Sequence, residues 1–338
     1  MLVPHEKAVA AAIEALENAN VPSDHARLQV DLLVEADLRG RASHGLMRLP
    51  RIVERIGNGV TDPNTTGCIE WRGNVAFVDG QMGMGPIIAC NAIDQLMQRV
   101  ETAGVAVAAI RNSNHLGMLA WYAERVARQG KVLLAMCTSE ALVHPWGGRH
   151  AMLGTNPLAI GVPAGKTPFV LDMATSLVSM GQIHDYALRN APIPPSWALD
   201  AEGNATTDAR LAKAGSIAPF GEAKGYALGI ALEVLITALT ASAVGRNVVG
   251  TLDSTQACNK GDVFIVIDPI AQPGVTESIE RYLDDVRASG LVEKPVAVPG
   301  DRALATRAKR QRDGLELAED VWARLQSLAN QQPSNQSA

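Results

Sequence analysis

The stretch NVAFVDGQMGMGPIIACNAIDQLMQRVETAGVAVAAIR, residues 74–111, decides the fold class. Short apolar runs at its two ends, 74–80 and 104–111, predict strands, and residues 86–99 between them have the 3.6-residue apolar spacing of a helix. A helix predicted over 118–128 and a strand over 132–137 continue the alternation. Strands and helices that alternate at these lengths predict an α/β core.

A glycine-rich loop follows the first strand but lacks the spacing of the common dinucleotide-binding fingerprint. The string GQMGMG, residues 80–85, has the spacing GxxGxG, whereas a Rossmann fold needs GxGxxG and an acidic residue about 20 positions further on. No convincing acidic residue stands at that distance on a second strand. If the chain binds a dinucleotide, another fold must hold it.

Helical patterns dominate both ends of the chain. Residues 8–16 have helical apolar spacing, and Ser23 supplies a capping group for a second helix that ends near Gly40. Residues 315–328 predict an amphipathic helix, and the basic stretch 302–312 before it reads as a solvated segment. We therefore predict a mainly helical region (1–70 and 300–330), an interleaved α/β core (71–299) and a disordered polar tail (331–338).

The second half of the chain adds further elements. Residues 169–176 predict a buried strand that runs into a helix N-terminus, 262–268 predict another strand, and 275–288 an amphipathic helix. The long apolar segment 225–244 is predicted to be a buried helix rather than a membrane span, because Glu233 and several hydroxyl side chains interrupt it.

Composition limits the class of protein. Hydrophobic residues make up 47% of the 338 residues and charged residues 19%, which is typical of a compact enzyme and not of a disordered chain. The formal net charge of −5, without a basic stripe, argues against a nucleic-acid partner. Four scattered cysteines and the lack of an export signal favour reduced thiols in the cytoplasm.

The first polar cluster that could carry chemistry is RASHGLMRLP, residues 41–50. Here Ser43 and His44 are adjacent, and Arg48 lies one helical turn beyond His44. An arginine can hold a carboxylate with two hydrogen bonds while a histidine exchanges a proton at the neighbouring carbon's heteroatom. The alternative is a helix cap at Ser43 with a surface histidine and arginine.

A second cluster, RNSNHLGM at residues 111–118, follows a predicted strand and opens a helix. Backbone N–H groups at such a turn point toward an anion, so Ser113, Asn114, His115 and Gly117 could receive a cofactor phosphate or the nicotinamide region. A plain capped turn is the alternative.

Two more segments are rich in small residues. GTNPLAIGVP (154–163) and DMATS (172–176) could let backbone approach a flat ligand, or could form tight turns around a buried strand. In PFGEAKGYALGIALEVL (219–235), Lys224 at the start of the apolar helix could neutralise a phosphate or lie on the surface.

Taken in order, seven segments resemble the malate/L-lactate dehydrogenase family that lacks the Rossmann fold. That family includes ureidoglycolate, sulfolactate and diketogulonate dehydrogenases and the reductases of Δ1-piperideine- and Δ1-pyrroline-2-carboxylate. Each string is weak alone, but seven in the right order over most of the chain are specific. They are SHG with Arg48, SNHLG (113–117), GTNPLA (154–159), DMATS (172–176), IPPSWALDAEGNATTD (193–208), AKGYALG (223–229) and VPGDR (298–302).

The resemblance implies a role for individual residues. His44 is similar to the family's acid/base residue, with Ser43 as its relay or orienting partner. Arg48 corresponds to the ligand of the substrate carboxylate, and Thr155 to a substrate contact. The cofactor-binding residues that the resemblance implies are His115, Leu116, Gly117, Met118, Leu119, Asp172, Met173, Ala174, Lys224, Gly225, Pro299, Gly300 and Asp301.

Two positions depart from the family pattern. Some members have an aspartate after DMATS as a third relay group, whereas this chain has Gln182 there, and Asp185 is the nearby substitute. Many members have a second glycine where this chain has Glu222, so a negative charge stands near the implied cofactor loop. The choice between NAD and NADP stays open.

The resemblance implies an α/β, non-Rossmann NAD(P)-binding fold with a mixed central sheet, a helical N-terminal region and interleaved domains. It also implies hydride transfer between a nicotinamide and a small 2-hydroxy/2-oxo acid or cyclic 2-imino acid, in a cytoplasmic homodimer without a metal, a membrane or a nucleic-acid partner. The alternatives are a non-enzymatic binding protein and a metal-dependent hydrolase or lyase that uses His44, His115, His144, His150 and His184.

Overall fold

The structure is a computed structural model that describes residues 1–269, 272–291, 293 and 295–331. Its helices are α1 (His5–Glu17), α2 (Ser23–Leu38), α3 (Leu49–Gly57), α4 (Gly85–Ala103), α5 (Leu119–Ala127), α6 (Met180–Leu188), α7 (Ala209–Ala212), α8 (Ala223–Thr240), α9 (Val275–Ala288), α10 (Asp301–Asp313) and α11 (Glu319–Ala329). Its strands are β1 (Leu2–Val3), β2 (Cys68–Arg72), β3 (Val75–Gly83), β4 (Val105–Ser113), β5 (Val132–Cys137), β6 (Leu158–Val162), β7 (Phe169–Met173), β8 (Ala198–Leu199), β9 (Ser216–Ile217), β10 (Gly261–Ile267) and β11 (Leu315–Glu316).

A seven-stranded mixed sheet in the order β2-β3-β4-β10-β5-β6-β7 forms the centre of the molecule. Strands β3 and β4 are parallel and are connected by α4, since parallel neighbours need a crossover. The other neighbouring pairs are antiparallel. This arrangement confirms the predicted α/β fold with a mixed sheet, and it differs from the parallel sheet of a Rossmann fold.

The core lies between this sheet and the helices that cover it. Apolar residues of α4, such as Ile88 and Leu96, are fully buried, as is Phe264 in β10. Helix α5 approaches β6 so closely that a Cβ on Gly161 would lie 2.3 Å from the Ala123 carbonyl oxygen. Small residues therefore set the distance between α5 and the sheet.

The two ends of the chain meet on one side of the core. Strand β1 pairs with β11, and Asn18 Nδ2 donates to the carbonyl oxygens of Leu328 and Ala329. The prediction of a helix over 315–328 is wrong at its start, because Leu315 and Glu316 pair with β1 and α11 begins only at Glu319.

Residues 302–312 lie within α10, which has no buried residue, so the predicted solvated segment is confirmed and is in addition a helix. Two of the arginines find acceptors on α2: Arg307 Nε donates to Glu35 Oε1 at 2.7 Å, and Arg310 Nη1 donates to the Asp37 carbonyl oxygen at 2.6 Å. These contacts hold the basic helix against the protein.

The segment 169–176 does not run directly into a helix. Strand β7 ends at Met173, and α6 begins at Met180. In between, the backbone N–H of Thr175 donates to the Thr155 carbonyl oxygen and that of Phe220 donates to the Thr175 carbonyl oxygen. The chain here pairs with two other loops instead of starting a helix.

Helix α8 is buried on one face only, so the prediction of a buried helix is wrong for its other face. Gly225, Glu233 and Ile236 are buried, whereas Val234 is 58% exposed and Leu235 is 44% exposed. Its length and composition would suit a membrane span, but core helices of soluble proteins meet the same criteria. The tail predicted at 331–338 lies outside the described residues from 332 onward.

Candidate active site

Two short 3-10 turns, Ala42–His44 and Leu46–Arg48, carry the SHG segment and Arg48. The buried carboxylate of Asp37 lies beneath them and accepts a hydrogen bond from the Leu46 backbone N–H at 2.7 Å. A Cβ on Gly45 would lie 2.1 Å from Asp37 Oδ1, so only glycine permits this approach. The contacts with Asp37 therefore fix the loop between His44 and Arg48.

Ser43, His44 and Arg48 lie together. Ser43 Oγ lies 3.0 Å from His44 Nδ1, and Arg48 Nε donates to the Ser43 carbonyl oxygen at 2.7 Å. Burial, the Arg48 charge and then the Arg41 charge lower the pKa of His44 to about 4, well below the near-neutral value that its sequence suggests. His44 is thus a neutral imidazole at pH 7.

A second imidazole stands beside the first. The ring centroid of His115 lies 5.4 Å from that of His44. The Gly117 backbone N–H donates to His115 Nδ1 at 3.1 Å, which places the proton of the neutral ring on Nε2. Burial and then the charge of Arg48 hold the pKa of His115 well below its usual value. Both rings are therefore neutral.

Arg48 and His115 line one small cavity of about 30 Å³. Its other walls come from Gln29, Arg51, Ile52, Arg55, Thr61, Met84, Gly85, Asn114 and Thr251. A guanidinium and an imidazole supply the charge and hydrogen bonds that a carboxylate needs, but this cavity has room for only roughly one or two waters and must widen to admit a substrate acid. A larger cavity of about 560 Å³, with Glu140, Arg149, His150 and Arg246 among its lining residues, contains none of the residues predicted to bind substrate or coenzyme.

The side chain of Asn114, a possible cofactor contact or part of a capped turn by its sequence, has its partners within the protein. Its Oδ1 accepts hydrogen bonds from the Arg55 side chain and from Thr61 Oγ1, and its Nδ2 donates to the carbonyl oxygens of Met82 and Gly83. Ser113 is fully buried. Asn114 instead holds the buried Arg55 in place, a role that no local pattern revealed.

Thr155 is held by a serine that the sequence reasoning missed. Ser139 Oγ accepts from the Thr155 backbone N–H at 2.9 Å and lies 3.1 Å from Thr155 Oγ1. The Thr155 carbonyl oxygen accepts from Thr175 Oγ1 at 2.9 Å. Ser139 follows β5, and its place at a strand end is the one signal that could have suggested it.

The segments predicted to bind cofactor follow one another along β7. Gly300 approaches the Val170 carbonyl oxygen, and Asp172 accepts from the backbone N–H of Ala120 in α5 at 2.8 Å. Helix α8, which carries Lys224 and Gly225 in its first turn, lies next to Thr175, because a Cβ on Gly229 would lie 3.0 Å from Thr175 Oγ1.

A small cavity of mixed lining lies at one end of this path. A cavity of about 40 Å³ has both apolar and charged lining residues. They include Phe169, Val170, Val298 and Pro299, the ion-paired Arg287 and Asp301, and Arg39 and Glu124. Its apolar side chains suit the face of a planar base, and exposed Lys224 at the other end of the path suits a phosphate charge. The side chains along this path are of the kinds that suit a nicotinamide dinucleotide, whereas a cavity of about 40 Å³ must widen to admit a base.

Two residues from the sequence analysis lie apart from this path. Asp185 is exposed and forms an ion pair with Arg189 on α6, while His44 Nδ1 has Ser43 as its partner. Glu222 is exposed immediately before α8. Among the described residues, no group of three or more His, Cys, Asp or Glu side chains could hold a metal ion.

A profile of the malate/L-lactate dehydrogenase family matches residues 3–326. The chain belongs to this family. It is 34% identical over 337 residues to the malate/(S)-sulfolactate dehydrogenase of Methanothermus fervidus, covering 98% of each protein. It is 33% identical over 321 residues to the (2R)-3-sulfolactate dehydrogenase (NADP(+)) of Chromohalobacter salexigens, covering 94% of this chain and 95% of that protein.

A solved structure confirms the family fold. The crystal structure of a dehydrogenase from Sinorhizobium meliloti is 48% identical and superposes with a TM-score of 0.94, covering 97% of this chain and 98% of that one. As a family member, the chain is an NAD(P)-dependent oxidoreductase of 2-hydroxy and 2-oxo acids or cyclic imino acids. Neither a metal-dependent hydrolase nor a non-enzymatic protein has support among the relatives.

Proposed function

We propose that His44 is the acid/base residue of this oxidoreductase, with Ser43 orienting its ring and Arg48 binding the substrate carboxylate. The observation that carries the proposal is the contact of Ser43 with both partners: its hydroxyl lies at His44 Nδ1 and its carbonyl oxygen accepts from Arg48. One residue thus fixes the distance between the proton-transfer group and the carboxylate ligand.

The low pKa of His44 suits oxidation of a hydroxy acid. A neutral imidazole can take the hydroxyl proton, and a bound nicotinamide would supply the acceptor for the hydride. For reduction the ring must first gain a proton. A substrate carboxylate on Arg48 neutralises one of the charges that depress the His44 pKa, so binding of the acid raises that pKa and favours the protonated ring.

His115 holds the substrate oxygen or nitrogen as a neutral hydrogen-bond donor. Its Nε2 carries the proton because Nδ1 accepts from Gly117, and its ring faces the cavity that also contains Arg48. Thr155, fixed by Ser139, is the further substrate contact that the family resemblance implies. The two histidines therefore have different tasks, orientation at His115 and proton transfer at His44.

The residues that would hold the nicotinamide coenzyme are those of the loop 115–119, residues 172–174, Lys224-Gly225 and residues 299–301. The contacts of Asp172 with α5 and of Gly300 with Val170 support this assignment. We assign no preference between NAD and NADP.

The enzyme acts as a cytoplasmic homodimer. The exposed apolar residues of α8, including Ile230, Val234 and Leu235, form a face that a second copy of this chain would cover. Four cysteines without disulfides, of which Cys68 is exposed, suit a reducing compartment.

A substrate panel tests the function. Malate, lactate, sulfolactate, ureidoglycolate and Δ1-pyrroline-2-carboxylate, or the corresponding 2-oxo acids, are assayed with both coenzymes at 340 nm in the appropriate direction. We expect turnover with at least one acid, and Arg48→Lys should raise its KM more than it lowers kcat, since lysine lacks the paired donors. Wild-type protein that turns over none of them with either coenzyme would contradict the proposal.

A further inference from the structure

Glu233 is a buried carboxylate on α8 that lies behind the loop carrying Thr155. The residue is 2% exposed. Its Oε2 accepts from the Gly154 backbone N–H at 3.2 Å and from Asn156 Nδ2 at 2.7 Å, and its Oε1 accepts from the Gly245 backbone N–H at 2.5 Å. The carboxylate therefore binds the residues on both sides of Thr155.

Asn156 needs this support because its backbone is strained. It has a φ of +31°, which an asparagine adopts only where its surroundings hold it. Its Nδ2 also donates to the Gly229 carbonyl oxygen at 3.1 Å, and its Oδ1 accepts from the Ser139 backbone N–H at 3.3 Å. The side chain thus links the Thr155 loop to both α8 and Ser139.

We propose that Glu233 is a positioning residue for substrate binding, which sets the place of Thr155 through Gly154 and Asn156. The inference rests on the proposed role of Thr155 as a substrate contact. Glu233 acts from behind the loop and does not itself contact the substrate.

Only a carboxylate can serve all of these donors at once. Three N–H donors converge on its two oxygens, and each of these groups can only donate in the observed geometry. A glutamine in the same place would turn its own N–H₂ toward either Gly245 or the pair formed by Gly154 and Asn156. One side of the network would then lose its acceptor, and a buried donor without an acceptor is costly.

The experiment compares Glu233→Gln and Glu233→Asp with wild type. Glu101→Gln, an exposed acid on α4, controls for loss of charge, and Ile236→Val, a fully buried apolar residue of α8, controls for loss of stability. For each protein, kcat and KM are measured with the acid that wild type turns over best, together with the Kd of NADH or NADPH from fluorescence and the Tm.

We expect Glu233→Gln to raise KM by about tenfold or more with kcat changed by less than about threefold, because a displaced Thr155 weakens ground-state and transition-state contacts alike. Coenzyme Kd and both controls should stay near wild type. A double variant with Thr155→Ser should be less than additive in KM, since Glu233 acts through Thr155.

Several results would overturn the proposal. Unchanged KM in Glu233→Gln would do so, as would an equal rise in KM in Ile236→Val at a matched loss of Tm. Failure of both Glu233 variants to fold would show that the carboxylate serves folding instead. Wild type without turnover of any acid would refute the proposed function itself, and this inference with it.

Discussion

The charge state of His44 depends on two arginines. Because burial, Arg48 and Arg41 lower its pKa to about 4, the group is already deprotonated across the neutral range. We expect kcat/KM for hydroxy-acid oxidation to stay constant from about pH 8 to 6. It should fall only as the pH approaches the pKa of His44 in the free enzyme.

Removing the Arg48 charge should change the pH at which kcat/KM begins to fall. In Arg48→Gln the pKa of His44 should rise, so the acidic limb of kcat/KM should shift to higher pH, while kcat/KM itself falls through loss of the carboxylate contact. Titration of the His44 ring by NMR separates it from His115. A His44 pKa near 6.5 in wild type would contradict this electrostatic account.

Asp37 makes the stability of the protein depend on pH. Burial raises its pKa from 3.8 to about 7, although the Leu46 hydrogen bond opposes this shift. The folded state therefore retains a proton that the unfolded chain releases from about pH 4 upward. Asp37 thus favours folding fully only below pH 4, and this contribution is lost as the pH rises through about 7.

Asp37→Asn tests this contribution. Its amide oxygen can still accept from Leu46, and it cannot ionise. Between about pH 4 and 7 the free energy of unfolding of wild type should fall relative to Asp37→Asn by about 2 to 4 kcal/mol, measured by urea denaturation at each pH. Parallel stability curves for the two proteins would show that Asp37 is ionised in both states.

Among the elements, helix α8 has two faces with different proposed roles. Its inner face carries Glu233, which holds the Thr155 loop, and its outer face exposes Val234 and Leu235. A charge on the outer face should disrupt a dimer without changing the inner contacts, because neighbouring residues on a helix point in different directions.

We expect Val234→Glu to be monomeric in light scattering at concentrations where wild type is dimeric. Loss of the covering subunit should also loosen α8 and raise KM by about two- to tenfold. Val105→Glu, a similarly exposed valine at the start of β4, is the control. A wild-type protein that is monomeric at all concentrations would contradict the proposed interface.

The strands and the long helices could be predicted from sequence because their signals are local. The runs at 74–80 and 104–111 match β3 and β4 closely. The C-terminal elements could not, since β11 exists only through pairing with β1, and α10 is held by acceptors on α2 roughly 270 residues away. Local sequence patterns cannot reveal partners that lie so far away in the chain.

The site divides in the same way. Ser43, His44 and Arg48 fall within six residues of one another and could be predicted together as a cluster. In the sequence, Asn114 looks like an anion ligand and Glu233 looks like an interruption of an apolar helix. Only the fold shows that Asn114 holds Arg55 and that Glu233 holds the Gly154 backbone N–H. The pKa of His44 likewise depends on its burial, which the sequence does not state.

At the scale of the whole molecule, the account depends on His44 moving the proton as hydride transfers. The most direct test is the single-turnover rate of hydride transfer, followed at 340 nm with saturating acid and coenzyme, in wild type and His44→Gln. We predict a rate lower by about 10²- to 10⁴-fold in the variant, with the Kd of the coenzyme unchanged. A His44→Gln rate within about threefold of wild type would contradict the account.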